Sequence, residues 1–272
     1  MEATRKARRA ALGGVLSLSL LGACTLEPTA ATVMGQRWVR WGEADVLLAG
    51  GTDGMGGGDG PVLVYLHGFA STPEDQLSLR GGLAVPPGTR FVFPRGPVRA
   101  DGAWAWWALD RQLRGRLRAE PFGMRELAGH RPAGMRRARS ALERVLSSVE
   151  TRMGAPPERT VLAGFSQGAM LSCDTFLRGS RRFAGVACMS GTMLTQPEWI
   201  EAMATHAGER VFISHGRHDP LLPFAMSERL AAELTTHSLD VTWAPYPGGH
   251  SMTDPLARRF ASFVAESFRA TP

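Results

Sequence analysis

The sequence lacks an apolar run long enough to form a transmembrane helix. The apolar stretch near its start, Ala10 to Leu21, has about a dozen residues, whereas a spanning helix needs about 20. A permanent membrane span is therefore not expected.

Continuous basic runs and basic patches interleaved with aromatic residues are also missing. The formal charge is +6 over the 272 residues. It falls to +3 when the first 23 residues, with four Lys/Arg and one Glu, are left out (6 − 4 + 1). The remaining arginines, such as Arg136 and Arg137, are dispersed among acidic residues, which is typical of a solvated face. Binding to nucleic acid is not expected.

Cysteine is scarce, with three residues in the chain. Cys173 and Cys188 lie in apolar surroundings, so we expect two buried thiols, although in an oxidising compartment they could form a disulfide. The segment Gly50 to Gly60 has seven glycines in eleven positions but no Gly-Lys-Ser/Thr pattern. It is therefore not a phosphate loop, and glycine's freedom predicts a mobile surface hairpin connection.

The N-terminus has the pattern of an export signal. Basic residues between positions 5 and 9 precede the apolar stretch, and Leu21-Gly22-Ala23-Cys24 resembles the bacterial lipobox. This pattern predicts a signal peptide over residues 1–23, an acylated Cys24, a tether over residues 24–32 and one domain over residues 33–272. An exported lipoprotein, anchored to the membrane and facing the periplasm or exterior, is expected. The alternative is an ordinary signal peptide with a chance cysteine.

Short apolar runs alternate with amphipathic stretches along the rest of the chain. Runs unbroken by polar residues suit parallel strands buried on both faces, and alternating β and α units predict a mostly parallel, doubly wound α/β sheet flanked by helices. The expected strands are 33–39, 45–49, 62–66, 90–93, 160–165, 185–190, 211–214 and 241–244. The expected helices are 73–83, 135–153, 167–177, 224–237 and 255–268. Residues 95–134 are expected to be irregular, as a cap or loop over the carboxyl end of the sheet.

A candidate nucleophile lies in Gly164-Phe165-Ser166-Gln167-Gly168, between an apolar strand and a helix. This context is typical of a nucleophile elbow, in which the serine sits in a strained turn at the head of a helix. The flanking glycines allow close backbone approach. The motif alone is weak in a glycine-rich chain, but its position favours Ser166 as a nucleophile.

A serine hydroxyl needs a base to take its proton. Asp219 follows the predicted strand 211–214, and His250 follows the last strand, in the chain order Ser, Asp, His that such folds use. The alternatives are a turn-forming Asp219 and a surface His250. His215 and His218 compete as the base, but they lie beside the acid, where either would at most line the site.

Two backbone amides are candidate donors to an oxyanion. One belongs to Gln167, directly after the serine, and the other to Phe69, in the loop after the strand 62–66. The side chain of His67 is interpreted as a buried histidine that hydrogen-bonds this loop.

Four motifs together resemble the phospholipase/carboxylesterase branch of the α/β-hydrolases, which includes acyl-protein thioesterases. They are Leu66-His67-Gly68-Phe69, Gly164-Phe165-Ser166-Gln167-Gly168, Gly216-Arg217-His218-Asp219-Pro220 and Gly249-His250. The resemblance covers roughly residues 60 to 270. It implies an α/β-hydrolase fold for residues 33–272, with Ser166, Asp219 and His250 as the catalytic triad and Phe69 and Gln167 as the oxyanion hole. It also implies neither a metal nor an organic cofactor.

Trp104, Trp106 and Trp107 follow Gly96-Pro97 as in bacterial members, where this stretch lies near the acyl pocket; plain cap packing is the alternative. The expected activity is cleavage of small-molecule carboxylic esters with short to medium acyl chains through an acyl-enzyme. An exported feruloyl-type or polyhydroxyalkanoate-depolymerase-like esterase is the alternative enzyme. A noncatalytic binding protein on a hydrolase scaffold is the alternative outside enzymes. The export signal departs from typical cytosolic members and disfavours protein depalmitoylation.

Overall fold

A computed structural model describes residues 35–109 and 129–270 of the chain. The strands in these ranges are β1 (Gln36–Trp41), β2 (Ala44–Gly51), β3 (Met55–Gly57), β4 (Val62–Leu66), β5 (Arg90–Pro94), β6 (Val98–Ala100), β7 (Ala103–Ala105), β8 (Thr160–Phe165), β9 (Gly185–Met189), β10 (Arg210–Gly216) and β11 (Asp240–Tyr246).

The helices in these ranges flank the strands. They are α1 (Ser78–Gly82), α2 (Met135–Met153), α3 (Gln167–Arg178), α4 (Gln196–Met203), α5 (Phe224–Thr236) and α6 (Asp254–Arg269). Two 3₁₀ turns add Glu74–Gln76 and Pro157–Arg159.

The main sheet has the strand order β1-β2-β5-β4-β8-β9-β10-β11, with β3 beside β2. From β5 to β11 neighbouring strands are parallel, whereas β2 is antiparallel to both β1 and β5. Every residue of β4 and β9 is buried, as expected for strands covered on both faces. The predicted mostly parallel α/β sheet is confirmed.

Two apolar cores cover the two faces of this sheet. One contains Leu142 of α2, Phe176 of α3, Trp199 of α4 and Leu230 of α5. The other contains side chains of α1 and α6, such as Phe260. Because successive side chains of a strand point to opposite faces, β8 contributes Leu162 to the first core and Val161 and Ala163 to the second.

The glycine-rich segment differs from its prediction. Within it, β3 pairs in parallel with β2, and Oδ1 of Asp53 accepts the backbone N–H groups of Met55 at 2.7 Å and Gly57 at 2.8 Å. The Asp53 carboxylate thus satisfies two backbone N–H groups and holds this turn in a defined conformation. The prediction of a loose connection overlooked this local hydrogen bonding.

Three further differences concern short elements. Helix α4 was not predicted. The predicted helix 73–83 divides into a 3₁₀ turn and the short α1. Residues 95–134 contain the hairpin β6–β7, while residues 110–128 of this expected cap lie outside the described residues.

The N-terminal predictions fall outside the described residues. They are the signal peptide, Cys24 and the tether, together with the first two residues of the predicted strand 33–39. Among the helices of residues 35–109 and 129–270, none has both the length and the apolarity to cross a bilayer. Cys173 and Cys188 are buried free thiols, as favoured by the sequence, and burial raises the pKa of Cys173.

Candidate active site

Ser166 stands between the end of β8 and the start of α3. Its backbone has φ +54° and ψ −117°, a conformation that non-glycine residues rarely adopt. Its N–H donates to the carbonyl of Met189 at 2.9 Å, and its half-buried hydroxyl makes no capping bond to the helix. The strained turn therefore presents a hydroxyl that the helix itself does not use.

Close backbone approach brings the loop after β4 against this turn. A Cβ on Gly168 would overlap the carbonyl oxygens of Leu66 and His67. A Cβ on Gly68 would lie 3.5 Å from the Cβ of Ser166. The absence of a side chain at 168 thus allows the head of α3 to pack directly on the end of β4. The loop containing Phe69, a predicted oxyanion donor, consequently begins beside Ser166.

Asp219 and His250 lie in hydrogen-bond contact. The carboxylate Oδ2 of Asp219 is 2.6 Å from Nδ1 of His250, and the two side chains are 0% and 7% exposed. Since an ionised carboxylate only accepts, Nδ1 carries a proton and donates it. In the neutral imidazole, Nε2 then holds a lone pair that can accept a proton.

The orientation of the Asp219 carboxylate is set by its other oxygen. Oδ1 accepts the N–H groups of Leu221 at 2.8 Å and Leu222 at 3.0 Å. Burial by itself raises the pKa of Asp219. The contacts with His215 and His250 and the backbone N–H of Leu222 outweigh this effect, so the pKa of Asp219 lies well below its usual range. The carboxylate is ionised at neutral pH.

His250 also contacts the residue before the serine. The rings of His250 and Phe165 are 5.0 Å apart between centroids, at an interplanar angle of 57°. Because β8, β10 and β11 run parallel, their carboxyl ends meet at one edge of the sheet. The turns that follow these strands carry Ser166, Asp219 and His250, respectively.

The competing histidines occupy different positions. His218 is exposed, whereas His215 is fully buried on β10 with its Nε2 3.0 Å from Oδ2 of Asp219. His215 therefore contacts Asp219 rather than lining an open site. In the part of the chain that the structure describes, no three His, Cys, Asp or Glu side chains form a group that could hold a metal ion.

Gln167 begins α3, and its side chain is held by the tryptophan segment. Its Oε1 accepts the backbone N–H of Trp106 at 2.8 Å, and its Nε2 donates to the carbonyl of Trp107 at 2.9 Å. These two bonds fix the first residue of the helix, whose backbone amide is a predicted oxyanion donor.

His67 is buried, as the sequence suggested. Its Nε2 accepts the N–H of Gly96 at 3.0 Å, so Nδ1 carries the proton and donates to the carbonyl of Gly68 at 2.7 Å. Burial is the main reason why the pKa of His67 is lowered to about 4. A neutral imidazole thus ties the loop after β4 to Gly96.

The three tryptophans divide into two groups. Trp106 and Trp107 are buried, and the indole N–H of Trp106 donates to the carbonyl of His67 at 2.9 Å. This bond and those of the Gln167 side chain place the pair against the loop after β4 and the start of α3. Trp104 is half-buried, its ring centroid lies 4.1 Å and 3.8 Å from the guanidinium carbons of Arg95 and Arg99, and its backbone pairs with Ser71.

Tyr246 is a site residue that sequence reasoning missed. Its hydroxyl lies 3.0 Å from the carbonyl oxygen of Gly249 and 2.7 Å from that of Ser251, the two neighbours of His250. Ser190 lies on its other side at 3.1 Å. The sequence did offer a signal for it. Tyr246 is one of the two tyrosines of the chain and ends the last strand, four residues before His250.

Comparison with known proteins finds similarity to one family of hydrolases. Residues 58–267 match the family described as Phospholipase/Carboxylesterase. Acyl-protein thioesterase 1 of Kluyveromyces lactis is 24% identical over 224 residues, which cover 76% of this chain and 92% of that protein. Acyl-protein thioesterase 1 of Eremothecium gossypii is 28% identical over 229 residues, or 77% and 88% of the two chains. The crystal structure of esterase PE8 shares the fold with a TM-score of 0.66 and 24% identity, over 83% of this chain and 97% of that chain.

Proposed function

The chain belongs to the phospholipase/carboxylesterase family of hydrolases, and from that membership we propose that it cleaves carboxylic esters with Ser166 as nucleophile, His250 as base and Asp219 as acid. The observation that carries this proposal is the 2.6 Å hydrogen bond between Nδ1 of His250 and the buried carboxylate of Asp219. It leaves Nε2 as the basic nitrogen at the edge of the sheet where the serine lies.

The first half of the reaction forms an acyl-enzyme. Oγ of Ser166 attacks the carbonyl carbon of the ester while Nε2 of His250 takes the hydroxyl proton. The resulting imidazolium is stabilised by the ionised carboxylate of Asp219. The same proton then passes to the leaving alcohol as the ester C–O bond breaks.

The tetrahedral intermediate carries a negative charge on the former carbonyl oxygen. The amides of Gln167 and Phe69 are the proposed donors, and the head of α3 adds a favourable dipole. The side-chain bonds of Gln167 to the tryptophan segment support this assignment because they hold its backbone in place.

The second half of the reaction releases the acid. Water gives a proton to His250 and attacks the acyl carbon, and the serine leaves with the proton returned by the imidazolium. Its products are one carboxylic acid and the regenerated hydroxyl.

Esters with short to medium acyl chains are the proposed substrates. The family includes carboxylesterases and the two thioesterase relatives, which supports acyl transfer to water. Chromogenic esters of graded acyl length, a feruloyl ester, a polyhydroxyalkanoate and a palmitoyl thioester peptide form the test panel. We expect the highest kcat/KM for the short and medium esters.

A fluorophosphonate probe tests the nucleophile directly. We expect covalent labelling of the wild-type chain and none of Ser166→Ala. Ser172→Ala is the matched control, since Ser172 lies on the same helix with a buried hydroxyl, and it should label normally. Folded wild-type protein that neither labels nor hydrolyses any ester of the panel would contradict the proposal and favour a binding protein.

We also infer that the chain is exported and anchored through an acylated Cys24, which rests on the lipobox-like residues 21–24. Mass spectrometry of the protein isolated from a bacterial host should find a mature chain that begins at an acylated Cys24. Cys24→Ser should leave an unacylated chain. A mature N-terminus elsewhere, or an unmodified Cys24, would refute the anchor without affecting the hydrolase assignment.

A further inference from the structure

His215 is enclosed on both sides by oxygen atoms. Its Nδ1 lies 2.7 Å from Oγ of Ser227, and the same Oγ lies 3.0 Å from the carbonyl oxygen of Gly191. Its Nε2 lies 3.1 Å from the carbonyl oxygen of Leu222 and 3.0 Å from Oδ2 of Asp219. The His215 and Asp219 side chains are both 0% exposed, so these contacts are not shared with bulk water.

The proton position of His215 follows from these neighbours. A carboxylate and a carbonyl can only accept hydrogen bonds. A bare lone pair on Nε2 would therefore face two acceptors in a buried site, which is unfavourable. Nε2 consequently carries a proton and donates it towards Asp219 and Leu222.

We propose that His215 is a positioning residue of the reaction. Its Nε2–H donates to Oδ2 of Asp219, the oxygen that also accepts from Nδ1 of His250, and so holds the carboxylate in place for His250. The inference rests on the proposed function. The polar contacts of His215 are with Asp219, Leu222 and Ser227, so it acts on the reaction through Asp219.

The bond has a physical effect on the acid. Oδ2 of Asp219 has an imidazole nitrogen of His250 at 2.6 Å and one of His215 at 3.0 Å, and Oδ1 receives two backbone donors. Charge-assisted bonds of this kind keep a buried carboxylate ionised and fix its rotation. Without His215, Oδ2 would keep only the contact with His250, and the plane of the carboxylate would be held less firmly.

Two variants at the same position separate positioning from packing. His215→Phe keeps a ring of similar size but removes both nitrogens. His215→Gln places an amide N–H near the position of Nε2. We expect kcat to fall about 10- to 100-fold in His215→Phe, the worth of one hydrogen bond to a charged group, with KM changed less than about twofold. His215→Gln should recover most of that loss.

A second readout requires no turnover. The proton on Nδ1 of His250 should give a downfield ¹H NMR resonance in the wild type, because it lies in a short bond to a carboxylate. This resonance should shift or disappear in His215→Phe and return in His215→Gln. A purely structural role would lower thermal stability and leave the resonance in place.

His206→Phe is the matched control. His206 is equally buried but bonds Glu209 and the carbonyl of Leu177, so its loss should lower Tm without changing kcat or the resonance. If His215→Phe does not fold, Ser227→Ala tests the same chain of contacts by freeing Nδ1, with a smaller fall in kcat expected.

The possible results are distinct. Folded His215→Phe with wild-type kcat and an unshifted resonance overturns the proposal, as does an unchanged Ser227→Ala when the first variant does not fold. A wild-type protein that lacks esterase activity and probe labelling overturns the proposed function instead. In that case the resonance still decides whether His215 acts on the Asp219–His250 pair.

Discussion

Gly216 lies directly against the backbone of Gly249, one residue before His250. A Cβ at position 216 would overlap the carbonyl oxygens of Gly248 and Gly249. Two backbone bonds join the same loops: the N–H of Arg217 donates to Tyr246 and that of His218 to Gly248, both at 2.9 Å. The glycine that ends β10 thus lets the loop that carries His250 pass directly against the turn that carries Asp219.

Substitution of Gly216 by alanine should separate these loops. We expect Gly216→Ala to lose about 1 to 3 kcal/mol of stability through overpacking, and kcat/KM to fall at least tenfold because His250 is displaced from Asp219. Urea unfolding and ester hydrolysis measure the two effects. Gly81→Ala is the control, since nothing lies within 4 Å of a Cβ there and α1 has ordinary helical geometry. Equal behaviour of the two variants would contradict the steric reading.

Local sequence patterns were sufficient to predict most of the helices and strands of the fold. Helix α2 was predicted with its observed bounds because its amphipathic stretch lies between two glycines, Gly134 and Gly154. In the structure both glycines have positive φ and flank the helix. The parallel strands were recognisable because burial on both faces makes them continuously apolar. The serine and its strand-turn-helix context were likewise visible, since the elbow is built from neighbouring residues.

Side-chain directions could not be read in this way. His215 lies four residues before Asp219, and Tyr246 lies four residues before His250, but tertiary packing decides that these side chains turn towards the Asp219–His250 pair and its loop. The order in the glycine-rich segment depends on Asp53 accepting two backbone donors, a choice that glycine propensity does not reveal. Helix α4 has eight residues, too few for its apolar period to stand out.

The indole of Trp106 should matter mainly for the loop after β4. Trp106→Phe keeps the stacking on His67, whose ring lies 5.2 Å away, but leaves the His67 carbonyl without its indole donor. We expect a loss of about 1 to 3 kcal/mol in stability and a several-fold fall in kcat. Trp38→Phe, on the exposed edge strand β1, is the control and should change neither quantity. Equal Tm and kcat for both variants would argue against this role.

His67 should make stability depend on pH. Its folded-state pKa of about 4 lies below the unfolded value of 6.5, because burial disfavours the charged ring. The unfolded chain therefore binds this proton first, so the stabilisation is complete above pH 6.5 and is lost as pH falls towards 4. Between pH 7 and 5 this one group should cost about 2 kcal/mol.

His67→Gln removes the titrating group at this position. We expect the free energy of unfolding of this variant, from urea titrations at pH 7 and 5, to fall less on acidification than that of the wild type. His218→Gln removes an exposed histidine and should keep the wild-type slope. A His67→Gln slope as steep as that of the wild type would mean that His67 titrates normally in the folded protein.

The charge of Asp219 should matter more for turnover than that of Asp174, a buried carboxylate on α3. In Asp219→Asn, an amide N–H would face Nδ1–H of His250, so the imidazole must change tautomer and Nε2 loses its lone pair. We expect kcat to fall about 10³- to 10⁴-fold with little change in KM, as such a substitution does in a serine protease triad.

Asp174→Asn is the control. Asp174 is also buried, but it lies on α3 and binds Arg139 at 2.7 Å and Trp199 at 2.9 Å. Its neutralisation leaves Arg139 without a charged partner at that contact and should lower Tm while kcat stays within about twofold, because its partners are structural. If Asp219→Asn kept a tenth of the wild-type kcat, the carboxylate would be orienting the loop rather than the base, and the acid would have to be sought elsewhere.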